Sequence, residues 1–355
     1  MSGSTELPKN EFSPIARFRD AFSKRVGQSL APTNLSRNLY DFAHGPTPKV
    51  CRCLHDEPTL LCDLDASPKK RMLHAMQQTV TTRVPGTTAN LGPGFDSLGI
   101  ALGLANEVAI SHSARSEHPA VFADAARSFF AAAKVAPFGF DWRISGEVPQ
   151  SRGLGSSVTV RLGLMHGLNA LAGSPLDRTA LFELCAALEG HPDNAAPAAF
   201  GGFTVSRAGA ETIRCEVAPA LKFVLLVPDF EVSTPMARSI LPDTIPRRDA
   251  VMSSSNACRI TAAFLTQRYD LLRGSFGDGL HQPYRERLIP FLGKVIAAAE
   301  GAGAIGGFLS GSGSTICCVT LENADAVAAA MLAASGNGGA FTLIRSADNS
   351  GATIL

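Results

Sequence analysis

Gln150-Ser-Arg-Gly-Leu-Gly-Ser-Ser-Val158 places two glycines, paired hydroxyls and a run of backbone N–H groups at the mouth of a helix. Gly153 and Gly155 let the backbone approach an anion closely and adopt positive φ without strain. From Val158 onward apolar residues recur at Leu162, Met165, Leu168 and Ala172, which is helical spacing. A glycine-rich loop entering a helix N-terminus suits phosphate, because unpaired N–H groups and the positive end of the dipole converge there. It is neither the GxxxxGK[ST] loop nor the GxGxxG dinucleotide pattern. Alone, the same residues read equally well as a glycine turn capping a helix through Ser156.

Three further segments change that balance. Val84-Pro-Gly-Thr-Thr-Ala-Asn-Leu-Gly-Pro-Gly-Phe-Asp96 flanks a Gly-Pro-Gly turn with Asn90 and Asp96, just after a strand-like Val80–Val84. Glu189-Gly-His-Pro-Asp-Asn194 ends a helical run at Gly190, the usual C-terminal glycine position. Phe308-Leu-Ser-Gly-Ser-Gly-Ser-Thr315 leads into the apolar strand Ile316–Val319. Together, and in this order, the four segments resemble the motifs of the GHMP small-molecule kinases. PGTTANLGPGFDSLG and EGHPDN resemble the homoserine kinase branch, and the resemblance runs from about Val80 to the C-terminus.

The resemblance implies an α+β, two-domain GHMP kinase fold with a ferredoxin-like C-terminal domain and an active site in the cleft between domains. The expected division is an N-terminal extension over 1–78, an ATP-binding domain over 79–215 and a C-terminal domain over 216–355. It implies ATP-dependent phosphorylation of the L-homoserine hydroxyl, a step toward threonine, in a cytoplasmic homodimer. The alternatives are a GHMP kinase for another small alcohol, such as mevalonate or shikimate, and a GHMP-fold ligand sensor without turnover.

Such chemistry needs the triphosphate neutralised, a metal bridging its β- and γ-oxygens and an acceptor hydroxyl in line. The phosphate cradle is expected from Gln150, Ser151, Arg152, Gly153, Leu154, Gly155, Ser156 and Ser157, with Ser312 from the last motif. Mg2+ takes oxygen ligands and retains waters, so one hydroxyl and one carboxylate suffice beside the phosphates. Ser157 is the expected hydroxyl. Glu183 is the expected carboxylate: it lies off the apolar stripe Leu181, Leu184, Cys185 and Leu188, and its place before EGHPDN matches the metal-binding Glu of the resembling kinases. Glu189 sits in the last turn, at the negative end of the dipole, and is read as structural.

An amino-acid substrate presents an ammonium, a carboxylate and a hydroxyl. Asp193 suits the ammonium, and the forks of Arg238 and Arg285 suit the carboxylate. Asn90, His191 and Thr234 complete the expected pocket, with Asp96 beside the hydroxyl. Many relatives place an Asp base where this chain has Asn194, and an amide accepts no proton at neutral pH. The resemblance therefore implies catalysis by positioning and electrostatics, with Asp96, Asn194 and Arg238 around the reacting atoms. The chain also departs from its relatives: the phosphate loop continues Val-Thr-Val-Arg161, where a run of Ser and Ala is commoner.

Composition bounds the rest. The 355 residues, 45% hydrophobic, are enough for about two domains. A net charge of +1 without a basic run argues against nucleic-acid binding. No stretch of about 18 apolar residues argues for a membrane span. The eight cysteines form no disulfide framework and read as reduced, with Cys317 and Cys318 adjacent on one strand. Cys51, Cys53, His55 and Cys62 match no common zinc spacing. Before about residue 75, charges, prolines and isolated apolar residues alternate without sustained period, so this extension is expected to be poorly ordered, or untranslated with a start at Met72. Its acids, among them Glu6, Glu11 and Asp20, argue against a transit peptide.

Overall fold

The computed structural model describes residues 79–336 and 338–355. The extension over 1–78 and the cluster at Cys51, Cys53, His55 and Cys62 lie outside the described residues.

Strands β1 (Thr79–Ala89) and β2 (Leu98–His112) form an antiparallel pair joined by the Gly-Pro-Gly turn. Helix α1 (Ala120–Ala133) leads to β3 (Phe140–Gly146), which pairs with β2. Next come α2 (Ser156–Leu171), α3 (Arg178–Glu189) and α4 (Ala195–Phe200), then the short strands β4 (Phe203–Val205) and β5 (Ile213–Cys215). The second half runs β6 (Lys222–Val227), α5 (Thr234–Ser239), α6 (Arg247–Leu265), α7 (Gln282–Arg285) and α8 (Leu292–Gly301). It closes with β7 (Gly306–Leu309), β8 (Ile316–Thr320), α9 (Ala324–Ser335), β9 (Phe341–Arg345) and β10 (Thr353–Ile354).

The first sheet has six strands in the order β10-β1-β2-β4-β5, with β3 also on β2; the second has four, ordered β7-β8-β6-β9. In the second, antiparallel sheet the sequence β-helices-ββ-α-β with its first and third strands central is the ferredoxin-like arrangement expected. The tail of the expected unit 216–355 returns to the first sheet, where Arg83 opposes Thr353 and also donates to Asp348 at 2.7 Å.

Three apolar layers hold these sheets. Val108 and Ile110 of β2 face helices α1 to α4, whereas Ile100, Leu102 and Leu104 face a core shared with the second sheet. The pairing of β1 with β2 slips between Pro85 and Thr87, and the buried face of β2 changes there. On β6, Phe223, Leu225 and Val227 face the shared core, while Val224 and Leu226 face α8 and α9, the two-residue period of a strand buried on both sides. Phe203 and Phe264 stack across the shared core at 4.4 Å. Burying each such ring contributes about 1.5–3 kcal/mol. The cleft described next lies at the edge of this shared layer, so its two walls are held by one core.

Candidate active site

Residues 150–155 form a loop between the sheets, and α2 starts at its end. Gly153 and Gly155 have φ of 73° and 68°. A Cβ on Gly155 would stand 2.1 Å from Thr87 Oγ1, so the loop needs glycine for space as well as for angle. The N-cap is Gly155 and not Ser156, and no side chain caps this end. The first-turn N–H groups of α2 therefore remain for a ligand. Ser310 Oγ donates to Gly153 O at 2.7 Å, and Thr315 N donates to Arg152 O at 3.2 Å, which fastens the 308–315 segment onto the phosphate loop.

A cleft of about 400 Å³ opens beside this loop. It is lined by Gln150, Ser151, Arg152, Gly153, Gly155, Ser156, Ser157 and Ser312, and also by Asn90, Asp96, His191, Asp193, Asn194, Thr234, Arg238 and Arg285. The structure thus brings together nearly all the residues singled out in the sequence. Leu154 is different: its side chain is buried in the inter-sheet core, and only its carbonyl serves the site, accepting from Thr87 N at 3.1 Å.

The carboxylate expected beside Ser157 is the main revision. Glu183 does not line the cleft; Glu189 does, and Ser157 Oγ donates to Glu189 Oε2 at 3.0 Å. The reason is the length of α3, which stays helical to Glu189 and is stopped by Gly190 at φ 83°. Six residues of helix separate the two acids by about 9 Å along the axis, and it is the last-turn carboxylate that meets Ser157. The same stop turns the chain so that His191, Asp193 and Asn194 follow directly into the cleft.

Among these, His191 Nδ1 lies 2.6 Å from Asp193 Oδ1, and Asn194 N donates to the same oxygen at 3.0 Å. Burial is the largest single effect and lowers the His191 pKa, but the hydrogen bond to Asp193 and the charges of Asp193 and Asp96 together outweigh it, and the net shift is upward. Asn194 Oδ1 accepts from Thr87 Oγ1 at 2.7 Å, so its amide is held by the end of β1. Asn90 is 3% exposed; its Oδ1 accepts from Asp96 N and its Nδ2 donates to Gly311 O, which shapes the turn that carries Asp96.

Two guanidinium groups enter from the second half of the chain. Arg238 on α5 forms a bidentate pair with Asp96, at 2.6 and 3.1 Å. Arg285 on α7 is 2% exposed and donates to Ala237 O and Gly311 O, each at 3.0 Å. Burial, with Arg238 nearby, lowers its pKa to about 10, still cationic at neutral pH. Both guanidinium carbons lie over the Phe95 ring, at 5.3 and 5.2 Å, and His281 stacks on that ring at 5.1 Å. His281 is fully buried, with Nε2 2.8 Å from Gly92 O and Nδ1 3.3 Å from Arg285 Nη1. Phe95, Thr87, Glu189 and His281 were not read as site residues from the sequence. The first three lie in the quoted motifs, but a ring in reach of two cations is visible only once α5 and α7 are placed.

The donor set fits a hard cation and a nucleotide. Ser157 and Glu189 offer oxygen ligands next to a glycine cradle that a single Cβ would fill. Among the described residues, no helix is long and apolar enough to cross a membrane.

Residues 120–202 match the GHMP kinases N terminal domain family, and residues 260–338 the GHMP kinases C terminal family. The homoserine kinase of Moorella thermoacetica is 40% identical over 269 residues, 71% of this chain and 91% of that protein. That of Caldicellulosiruptor saccharolyticus is 36% identical, over 78% of this chain and 96% of its own length. The crystal structure of homoserine kinase from Cytophaga hutchinsonii superposes with a TM-score of 0.71 at 26% identity, covering 79% of this chain and 98% of that one. A mevalonate kinase structure, at 14% identity and a TM-score of 0.59, shares the fold. Motif order, cleft and relatives agree: the chain belongs to the homoserine kinases of the GHMP kinase family.

Proposed function

We propose that the cleft transfers the γ-phosphoryl group of ATP to the side-chain hydroxyl of L-homoserine, giving O-phospho-L-homoserine and ADP in threonine biosynthesis. The observation that carries this reading is the charge set opposite the phosphate loop. Asp96 and Asp193 face Arg238 and Arg285 in one cleft, a pattern that matches a zwitterion and not a neutral sugar or a simple carboxylate. Asp96 and Arg238 neutralise each other across the cleft. A bound amino acid replaces that pair with two: its ammonium goes to Asp96, and its carboxylate goes to Arg238, with Arg285 behind. This moves Asp96 from the hydroxyl to the ammonium, while Asp193 is held by His191.

Mg2+, bound with the nucleotide, supplies charge neutralisation on the β- and γ-phosphates. Ser157 and Glu189 would hold it. The N–H groups of the 153–158 loop and helix turn bind the phosphate oxygens, and Arg152 and Ser312 border them. Asn194, held by Thr87, orients the acceptor hydroxyl without taking its proton, so the proton leaves to the phosphate side or to solvent. Rate enhancement then comes from alignment and fixed dipoles. A cytoplasmic setting and a homodimer rest on the family resemblance.

ADP release measured with L-homoserine, mevalonate, shikimate and galactose tests the assignment. L-Homoserine should exceed each of the others by about a hundredfold or more in kcat/KM, on the order of 3 kcal/mol. Comparable turnover of any of the three would remove it.

A further inference from the structure

Arg161 is one of the places where the phosphate helix departs from the motif that it resembles, and phosphate binding does not account for it. It stands one turn beyond Ser157 on α2, and helical neighbours four apart share a face. Its Nη1 is ion-paired with Glu189 Oε1, while Ser157 Oγ donates to Oε2 at 3.0 Å. The Arg161 and Glu189 side chains are only 19% and 11% exposed, and Arg161 Nε is buried without a hydrogen-bond partner. Arg161 does not itself line the cleft, whereas Glu189 does. The guanidinium therefore sits behind the carboxylate and is committed to it.

We propose that Arg161 is the counter-ion of Glu189 in the metal-free enzyme and makes divalent-cation binding depend on nucleotide phosphates. This rests on the reading of Glu189 as the metal carboxylate. A free cation approaching Glu189 meets a carboxylate already neutralised and a fixed positive charge directly behind it, in a half-buried site where water screens poorly. A cation that arrives on a triphosphate brings negative charge that offsets the guanidinium. Oε2 can then turn from the Ser157 hydroxyl to the metal while Oε1 stays on Arg161, which keeps the carboxylate plane aimed. Arg161 is thus a positioning residue that also selects the metal–nucleotide complex over the free metal.

Titration of nucleotide-free protein with Mn2+ alone, following the free ion by electron paramagnetic resonance, reads this directly. The native chain and Arg161→Lys should bind Mn2+ weakly, and Arg161→Met should bind it at least about tenfold more tightly. Arg161→Gln fills the same half-buried site with a neutral polar group and carries the same expectation should the methionine variant not fold. Equal affinity in the native chain and the neutral variants would overturn the proposal. So would an Arg161→Lys variant that binds as tightly as they do, because charge would then not be what excludes the cation. Glu189→Gln separates the underlying reading: if its turnover keeps the native Mg2+ dependence, Glu189 is not the metal carboxylate. If that dependence is lost while the Arg161 variants leave Mn2+ binding unchanged, only the role of Arg161 fails.

Discussion

Arg238 and Asp96 form a bidentate ion pair across the cleft, at 2.6 and 3.1 Å, joining the β1–β2 turn of the first sheet to α5 beside the second. Their side chains are 37% and 34% exposed, so the pair is open to exchange with a solute. A zwitterion satisfies both partners at once; a cation or an anion alone leaves one of them unpaired. Asp96→Asn should therefore lower kcat/KM for L-homoserine by about 10²-fold, on the order of 3 kcal/mol, chiefly through KM. Steady-state kinetics within threefold of native would show that Asp96 does not receive the ammonium.

The two glutamates of α3 should differ. Glu189→Gln should lower kcat by about 10²-fold or more, on the order of 3 kcal/mol, whereas Glu183→Gln should stay within a few-fold. Glu189→Gln should also destabilise the protein by about 2 kcal/mol, because it leaves the largely buried Arg161 without its counter-ion. Urea unfolding checks the second effect. Restoration of that stability in the Arg161→Met/Glu189→Gln double variant, without recovered turnover, would separate packing from chemistry.

Asn194→Asp asks whether the reaction lacks a base. The new carboxylate could still accept from Thr87, but it would add charge beside Asp193 and the phosphate loop. We expect kcat to fall by about tenfold, roughly 1.4 kcal/mol. A rise in kcat, with a new ionisation in its pH profile, would mean that proton removal limits the native enzyme.

Phe95 lies within cation–π reach of both arginines. Phe95→Leu keeps apolar volume and removes the quadrupole, a loss of about 1–2 kcal/mol across two cation contacts. KM for L-homoserine should rise about tenfold with kcat little changed. A variant that instead loses kcat alone would place the ring in the chemistry and not in the carboxylate site.

Acid should weaken the fold through His166. Burial, with a smaller contribution from Arg178, lowers its pKa from 6.5 to about 4, so the folded protein holds it neutral. The unfolded chain takes up a proton near pH 6.5, and stability falls as pH drops from there toward 4. The shift of about 2.5 units corresponds to about 3 kcal/mol. Urea unfolding at pH 7, 5 and 4 should show this loss, and His166→Leu should flatten it. An unchanged pH dependence in that variant would assign the acid sensitivity elsewhere.

Local patterns were legible wherever chemistry repeats along the chain. The apolar spacing of α2 and the glycine stop of α3 are encoded within a few residues, because helical period and left-handed φ are local properties. The first strand reads as Val80–Val84 in the sequence, but β1 continues through Thr87, Thr88 and Ala89, which pair with Gly99–Ala101 of β2 beyond a register slip that no local pattern announces. The return of β10 to the first sheet was likewise invisible, since two residues of strand carry no period of their own.

The sequence by itself determined the family and the two-domain fold that goes with it, because long residue-rich motifs in fixed order leave few other readings. It also named charged residues that the structure gathers in one cleft, Asp96, Asp193, Arg238 and Arg285. Only the tertiary structure brought Glu189 and not Glu183 beside Ser157, because the two differ in position along one helix relative to another. It alone paired Arg238 with Asp96, brought both guanidinium groups over Phe95 and seated Arg161 beside Glu189. Those relations depend on the angle and depth at which separate elements pack, and such distances are set by the shared core and not by spacing along the chain.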